Sequence, residues 1–299
     1  MSSTDEKPLI NPNRTLQDYY ASLESRIGYR IVLGGTRHFG YWEKDTLWPF
    51  PINKALRAME DNLFDRLHLK EGSLVLDAGC GAGHVALHLA QRGLRVSCID
   101  VVDRHVVWAK QNVHNGGFDD AITVRKMDYH HLDGFADGTF EGAYTMETFV
   151  HATDPEQALR EFFRVLKPGG SIALYEYDHA NLSKAPEDIR SSIEIINKYA
   201  SMPSNARFEQ GVLESMMAEV GFEDIQVKDL SVNITPMLRL FFILAFLPYL
   251  IVKFFGLESF FINTVAAYKL YKSREYCRYV AVSAKKPLIS EKEDAVQEG

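Results

Sequence analysis

Apolar positions recur along this chain with two different periods. From Ile52 to Leu67 they fall at Ile52, Leu56, Met59, Leu63 and Leu67, the spacing of one face of a helix. Beyond that point short apolar runs alternate with helical stretches. Residues 73–77 read as a strand, and 84–92 as a helix stopped by Gly93. A second strand (95–100) is followed by a helix over 104–114 that ends near Gly116-Gly117. Residues 122–127 and 140–146 are the third and fourth strands, and 156–166 is a helix. Lys167-Pro168-Gly169-Gly170 reads as a turn into a fifth strand, 171–177. Residues 178–208 are polar and partly helical, 210–220 is a helix stopped by Gly221, and 225–229 and 276–284 are the sixth and seventh strands.

Strands that alternate with helices imply a parallel sheet covered on both faces, because each parallel connection must cross over. The expected fold class is therefore α/β. It is a Rossmann-like, seven-stranded, mostly parallel sheet with helices on both faces, an N-terminal helical cap and a C-terminal apolar lid insertion. The cap begins with a helix over 16–29 and a Gly-rich aromatic loop, Gly34 to Trp42.

The strongest chemical signal is Val75-Leu76-Asp77-Ala78-Gly79-Cys80-Gly81-Ala82-Gly83, which follows a strand and opens a helix. Glycines there remove Cβ atoms where backbone must turn tightly and approach a ligand. Asp100 ends the next strand, where a carboxylate can accept both hydroxyls of a ribose. The third glycine of a dinucleotide fingerprint would fall at His84, and Asp77 would place negative charge beside a pyrophosphate. Asp77 suits a ligand that carries an ammonium and a sulfonium, so S-adenosylmethionine (SAM) is the expected cofactor.

The run Val75 to Gly83, with Asp100, Asp128 and Leu166-Lys167-Pro168-Gly169-Gly170, resembles class I SAM-dependent methyltransferases over roughly residues 52–230. Met146-Glu147-Thr148-Phe149-Val150-His151-Ala152 and Ala173-Leu174-Tyr175-Glu176-Tyr177 are similar to the sterol 24-C-methyltransferase group. His38-Phe39-Gly40-Tyr41-Trp42 is similar to a segment of tocopherol-type methyltransferases. The resemblance implies that Gly79 and Gly81 lie under the methionine part of SAM and that Asp77 meets its amino group. It implies that Asp100 holds the ribose, Val101 packs on the adenine, Asp128 with Tyr129 meets the adenine amino group, and Met146 and Glu147 floor the site. The N-terminal aromatic segment and residues 231–275 depart from the sterol pattern, and these regions choose the acceptor.

Methyl transfer is an in-line displacement, accelerated by positioning and by matching the charge that moves. A base is needed only where the acceptor loses a proton. The catalytic candidates are Glu147, His151 and Glu176. Glu147 and His151 would share one face of a helical turn. Glu176, in an apolar strand, would be costly unless functional or salt-bridged. Tyr19-Tyr20, Tyr41 and Trp42 either line a pocket or pack as core of the cap. His130-His131 with Asp128 and Asp133 matches no zinc spacing, so no metal site is expected.

Composition narrows the partners. The net charge is −7 without a basic cluster, which argues against nucleic acid. Cys80, Cys98 and Cys277 are too few and too scattered for a disulfide framework, and the polar start lacks a secretory apolar stretch. A cytoplasmic location is expected, at the cytosolic face of a membrane if lipid is touched. Residues 240–257 carry only Lys253 as a charge and approach the length of a membrane span. They are expected as a helical pair kinked at Pro248, forming a lid over a small lipophilic acceptor, with peripheral membrane contact through 236–272, a homodimer face or a true membrane span as rival uses. The organisation is thus a flexible arm (1–14), a cap (15–70), a SAM-binding core (71–230), an apolar insertion (231–275), a closing strand (276–285) and a disordered tail (286–299). The expected function is methylation of a sterol, terpenoid or polyketide-like acceptor. The alternatives are N- or O-methylation of an amphiphilic metabolite and a non-catalytic SAM-binding subunit.

Overall fold

The computed structural model describes residues 14–22 and 33–288. The first thirteen residues of the arm, the second half of the expected helix over 16–29, and the tail from 289 on lie outside the described residues. Helix α1 (Arg14–Ala21) precedes the aromatic loop and α2 (Ile52–Leu67). The core then runs β1 (Leu74–Ala78), α3 (His84–Gln91), β2 (Arg95–Asp100), α4 (Asp103–Gly116), β3 (Ile122–Lys126) and β4 (Phe140–Met146). It continues with α5 (Pro155–Val165), β5 (Leu166–His179), α6 (Glu187–Tyr199), α7 (Val212–Val220), β6 (Glu223–Asp229), α8 (Ser231–Phe254), α9 (Ile262–Ser273) and β7 (Cys277–Lys285).

The seven strands lie in the order β3-β2-β1-β4-β5-β7-β6. Neighbours from β3 to β5 pair in parallel, and β7 is antiparallel to both β5 and β6. Strands of this kind are buried on both faces, which is why they read as apolar runs. Alternate residues of β5 serve two cores. Ala173 and Tyr175 pack with α2, α3 and the start of α8, whereas Ile172 and Leu174 pack with α5 and α7. The parallel strands all end on one edge, and a site at their carboxyl ends follows from this topology.

Two expectations about elements need correction. Lys167 to Gly170 is not a separate turn between helix and strand. It is absorbed into β5 as an irregularity, since the register with β4 jumps from Phe140↔Leu166 to Gly142↔Ser171. Pro248 does not divide the apolar segment either. Helix α8 runs through Pro236 and Pro248 without a break, and the second helix of the pair begins at Ile262. Among the described residues α8 is the one helix long and apolar enough to cross a membrane, by length and composition. Its first half is part of the protein core, with Ile234, Met237 and Leu238 buried against the sheet. The second half packs Tyr249 and Val252 on α6 and α9, and leaves its other side exposed.

Candidate functional site

Two cavities meet above the carboxyl ends of β1, β2, β4 and β5. The smaller, about 100 Å³, is walled by the Gly-rich loop and the ends of β1, β2 and β4. The larger, about 340 Å³, is walled by the 33–39 loop, the end of β5, α6, α8 and α9. Tyr20, Arg37, His38, Glu147 and His151 line both.

The smaller cavity gathers all eight residues expected to hold the cofactor: Asp77, Gly79, Gly81, Asp100, Val101, Asp128, Tyr129 and Met146. The loop that starts it is pinned by backbone bonds, since Gly79 N and Cys80 N both donate to Ile99 O at 2.9 and 3.0 Å. Gly79 has φ +95°, and a Cβ there would lie 2.3 Å from Thr148 Oγ1. Its missing side chain therefore serves the protein's own packing. At Gly81, φ +54°, a Cβ would meet nothing within 4 Å, so that open side is left for a ligand.

Asp100 is held by Gly81 N at 2.9 Å, Val102 N at 2.8 Å and His105 Nδ1 at 3.1 Å. Burial pushes its carboxyl up, but the charge and hydrogen bond of His105 and the two backbone N–H groups together bring it below the usual range. With three donors already on it, such a carboxylate keeps one acceptor position for a ligand hydroxyl, where the sequence pattern suggested room for both hydroxyls of a ribose. Asp77 is buried, and its Oδ2 has no hydrogen-bond partner. Burial first, and the nearby charge of Asp100, raise its carboxyl to about 7 against the pull of Tyr144 and His38. A buried carboxylate beside a cavity is costly until a cation lies near it. An ammonium is the group that fits.

The adenine side departs from the expectation in one respect. Asp128 Oδ1 accepts from His130 N at 2.9 Å and from His130 Nδ1 at 2.5 Å. His130 Nε2 in turn accepts from Thr153 N and Asp154 N. Asp128 therefore also fastens the loop before α5, a role its sequence position did not reveal. Tyr129 donates to Thr148 O at 3.1 Å.

Glu147 and His151 both line the junction of the cavities, but not on a shared helical face. Glu147 has φ +57°, a strained conformation for a residue with a side chain, and Phe149–His151 is a single 3-10 turn. Glu147 is locked by Phe39 N at 2.7 Å, Tyr177 Oη at 2.5 Å and Tyr279 Oη at 3.0 Å. Burial raises its carboxyl, opposed by those bonds and by the charge of His38. His151 Nδ1 donates to Ser201 O at 2.7 Å, so Nε2 is the acceptor for Tyr20 Oη at 3.0 Å. Burial lowers the ring to about 4.

Glu176 lines neither cavity, and among the described residues it pairs with no cation. Its Oε1 accepts from Thr148 N at 2.9 Å and Phe149 N at 2.5 Å, and burial raises the carboxyl to about 8. It fixes the turn that carries Glu147 and His151. Of the aromatic candidates, Tyr19 and Tyr20 line the larger cavity, whereas Trp42 is core, exchanging backbone and side-chain bonds with Asn233 of α8.

The chain is similar to known proteins throughout this region. Residues 76–174 match the model of the methyltransferase domain family. The S-adenosyl-L-methionine-dependent Diels-Alderase iccD of Talaromyces variabilis is 41% identical over 92% of this chain and 95% of its own. The sterol 24-C-methyltransferase of Eremothecium gossypii is 30% identical over 79% of this chain and 61% of its own. Among solved structures the [4+2]-cyclase SpnF superposes with a TM-score of 0.72 at 22% identity, over 94% of this chain and 98% of that one.

Proposed function

This chain belongs to the class I SAM-dependent methyltransferase superfamily with SAM as its cofactor, and from that premise we propose that it closes a ring in a lipophilic polyene by [4+2] cyclisation. The observation that carries this reading is the state of the polar groups between the two cavities. An acceptor nitrogen or oxygen that loses a proton on methylation needs a base. Glu147 already accepts three hydrogen bonds, and the acceptor nitrogen of His151 is taken by Tyr20. Both ring nitrogens of His38 face oxygens, Phe39 O and Glu60 Oε1. A cyclisation of this kind forms two carbon–carbon bonds, breaks only π bonds and moves no proton. The near full-length similarity to iccD supports the same class. When bound, SAM supplies a fixed positive charge that favours a polarised dienophile and is not consumed. The chain's own part is to hold the cofactor on Asp77 and Asp100, and to shape an apolar cavity that orients the polyene.

A second reading, methyl transfer to a sterol, terpenoid or polyketide-like acceptor, is favoured by the shared wall that brings the two cavities together. One assay separates them. The purified chain is given SAM and a flexible diene that carries an activated dienophile. The proposal expects a product of unchanged mass, formed only with SAM present and without S-adenosylhomocysteine. A product heavier by one methylene, with one S-adenosylhomocysteine per turnover, would replace the first reading with the second.

The outer side of α8 and the segment after it belong to the same proposal. Leu247, Phe254, Phe255 and Phe260 are 65–83% exposed, with the exposed Lys253 among them in sequence and the exposed Lys272 near the end of α9. Large contiguous apolar surface with flanking cations suits a membrane surface carrying anionic headgroups. The same two helices wall the larger cavity, so lipid contact would deliver a lipophilic substrate to it. Flotation with phosphatidylcholine–phosphatidylserine vesicles tests this. Binding that Phe254→Ser and Leu247→Ser reduce is expected, and a chain that stays wholly soluble as a monomer or a dimer would rule lipid out.

A further inference from the structure

Arg37 is the one arginine or lysine among the described residues that lines either cavity, and it lines both. It is partly buried, and its Cζ lies over the ring of Tyr20, 4.7 Å from the centroid. Tyr20 is itself fixed in place. Its Oη meets His151 Nε2 at 3.0 Å, and its ring stands edge-on to His105 with centroids 4.7 Å apart. A cation–π contact of this kind holds the guanidinium in position without exhausting its five N–H donors.

The acidic groups of the larger cavity have other commitments. Asp178 is paired with Arg278, and Glu147 takes its three donors from Phe39, Tyr177 and Tyr279. Burial first, with the charges of His105 and Arg37 adding to it, lowers the His151 ring to about 4, so that ring is neutral near pH 7 while Arg37 keeps its charge. The junction of the cavities thus presents a permanent cation to a mostly apolar space. An oxygen acceptor there gains a charge-assisted hydrogen bond, about twice as strong as a neutral one. We infer that Arg37 binds an acyl oxygen of the lipophilic substrate, in a conjugated ketone, an enolate or a carboxylate, and so seats the polar end of that substrate at the junction with the cofactor pocket. The inference rests on the larger cavity being the substrate site, and it serves either reaction. In the cyclisation the guanidinium donates to a carbonyl conjugated with the dienophile and draws electron density from it, with no proton moved. In methyl transfer it holds the head of the acceptor beside the cofactor.

The test uses 4-butylbenzoate, 4-butylacetophenone and butylbenzene, which share an apolar body and differ in the oxygen, titrated into the SAM-loaded chain. Arg37→Gln is expected to weaken the benzoate by about tenfold or more and the ketone by a smaller factor, with butylbenzene unchanged. Arg37→Lys, which keeps the charge, is expected to retain much of the benzoate affinity. An equal loss for all three probes, or no loss for any, would overturn the inference and leave the cavity assignment standing. A loss of SAM affinity with benzoate affinity kept would overturn it too, and would give Arg37 to the cofactor. Failure of butylbenzene to bind the original chain would overturn the assignment of the cavity itself.

Discussion

The two cavities are built by different means. The cofactor side is made by backbone. Glycines with positive φ, carboxylates capped by N–H groups and strand ends in fixed register place Asp77 and Asp100 within one βαβ unit. The larger cavity is made by side chains from the 33–39 loop, β5, α6, α8 and α9, brought together only by tertiary packing. The first kind of site leaves a compact signature in sequence, and its chemistry can be inherited intact. The second kind can be rebuilt while the first stays, in keeping with relatives that carry the names of both methyltransferases and Diels-Alderases.

The largest effect is expected where the two sides are joined. Glu147→Ala removes the acceptor for Phe39 N and for two tyrosine hydroxyls, in bonds that are partly buried. It should lower stability by about 3 kcal/mol or more and release the 38–42 segment to faster amide exchange. Loss of stability without any change in exchange at Phe39 would show that the two sides are not coupled through this carboxyl.

Glu176 sharpens the same comparison. Its raised carboxyl is neutral near pH 7, so Glu176→Gln should cost less than about 1 kcal/mol, whereas Glu176→Leu strands two buried N–H groups and should cost about 2–3 kcal/mol. The sign of the pH effect follows from the folded value of about 8 against 4.5 for the free side chain. The stabilising contribution is complete below 4.5 and is lost as pH rises through 8. Denaturant midpoints of Glu176→Gln should lack that part of the slope. An unchanged slope would mean that the carboxyl is ionised in the folded chain.

A smaller effect is expected at Asp77. Its carboxyl sits at about 7 without ligand, and an ammonium partner demands the ionised form. SAM affinity should therefore be flat above pH 7 and fall by about tenfold per pH unit below it, with a proton released on binding. Asp77→Asn should abolish that dependence. Affinity independent of pH between 6 and 8 would place the ammonium elsewhere.

The contrast also explains what the sequence disclosed. Residues 52–67, 95–100 and 140–146 have the bounds their apolar patterns imply, because burial on one or both faces dictates those patterns. The continuity of α8 through Pro248 was hidden, since proline reads as a break and tertiary packing overrides it. The strained turn at Glu147 was hidden too, because an i, i+4 spacing suggests a helix whatever the backbone does.

The most direct measurement of the central claim is a calorimetric titration of SAM into the purified chain and into Asp100→Ala. One SAM per chain, weakened about a hundredfold in the variant, is the predicted result. A well-folded chain that takes up no SAM, or a variant that binds it as tightly as the original, would contradict the account.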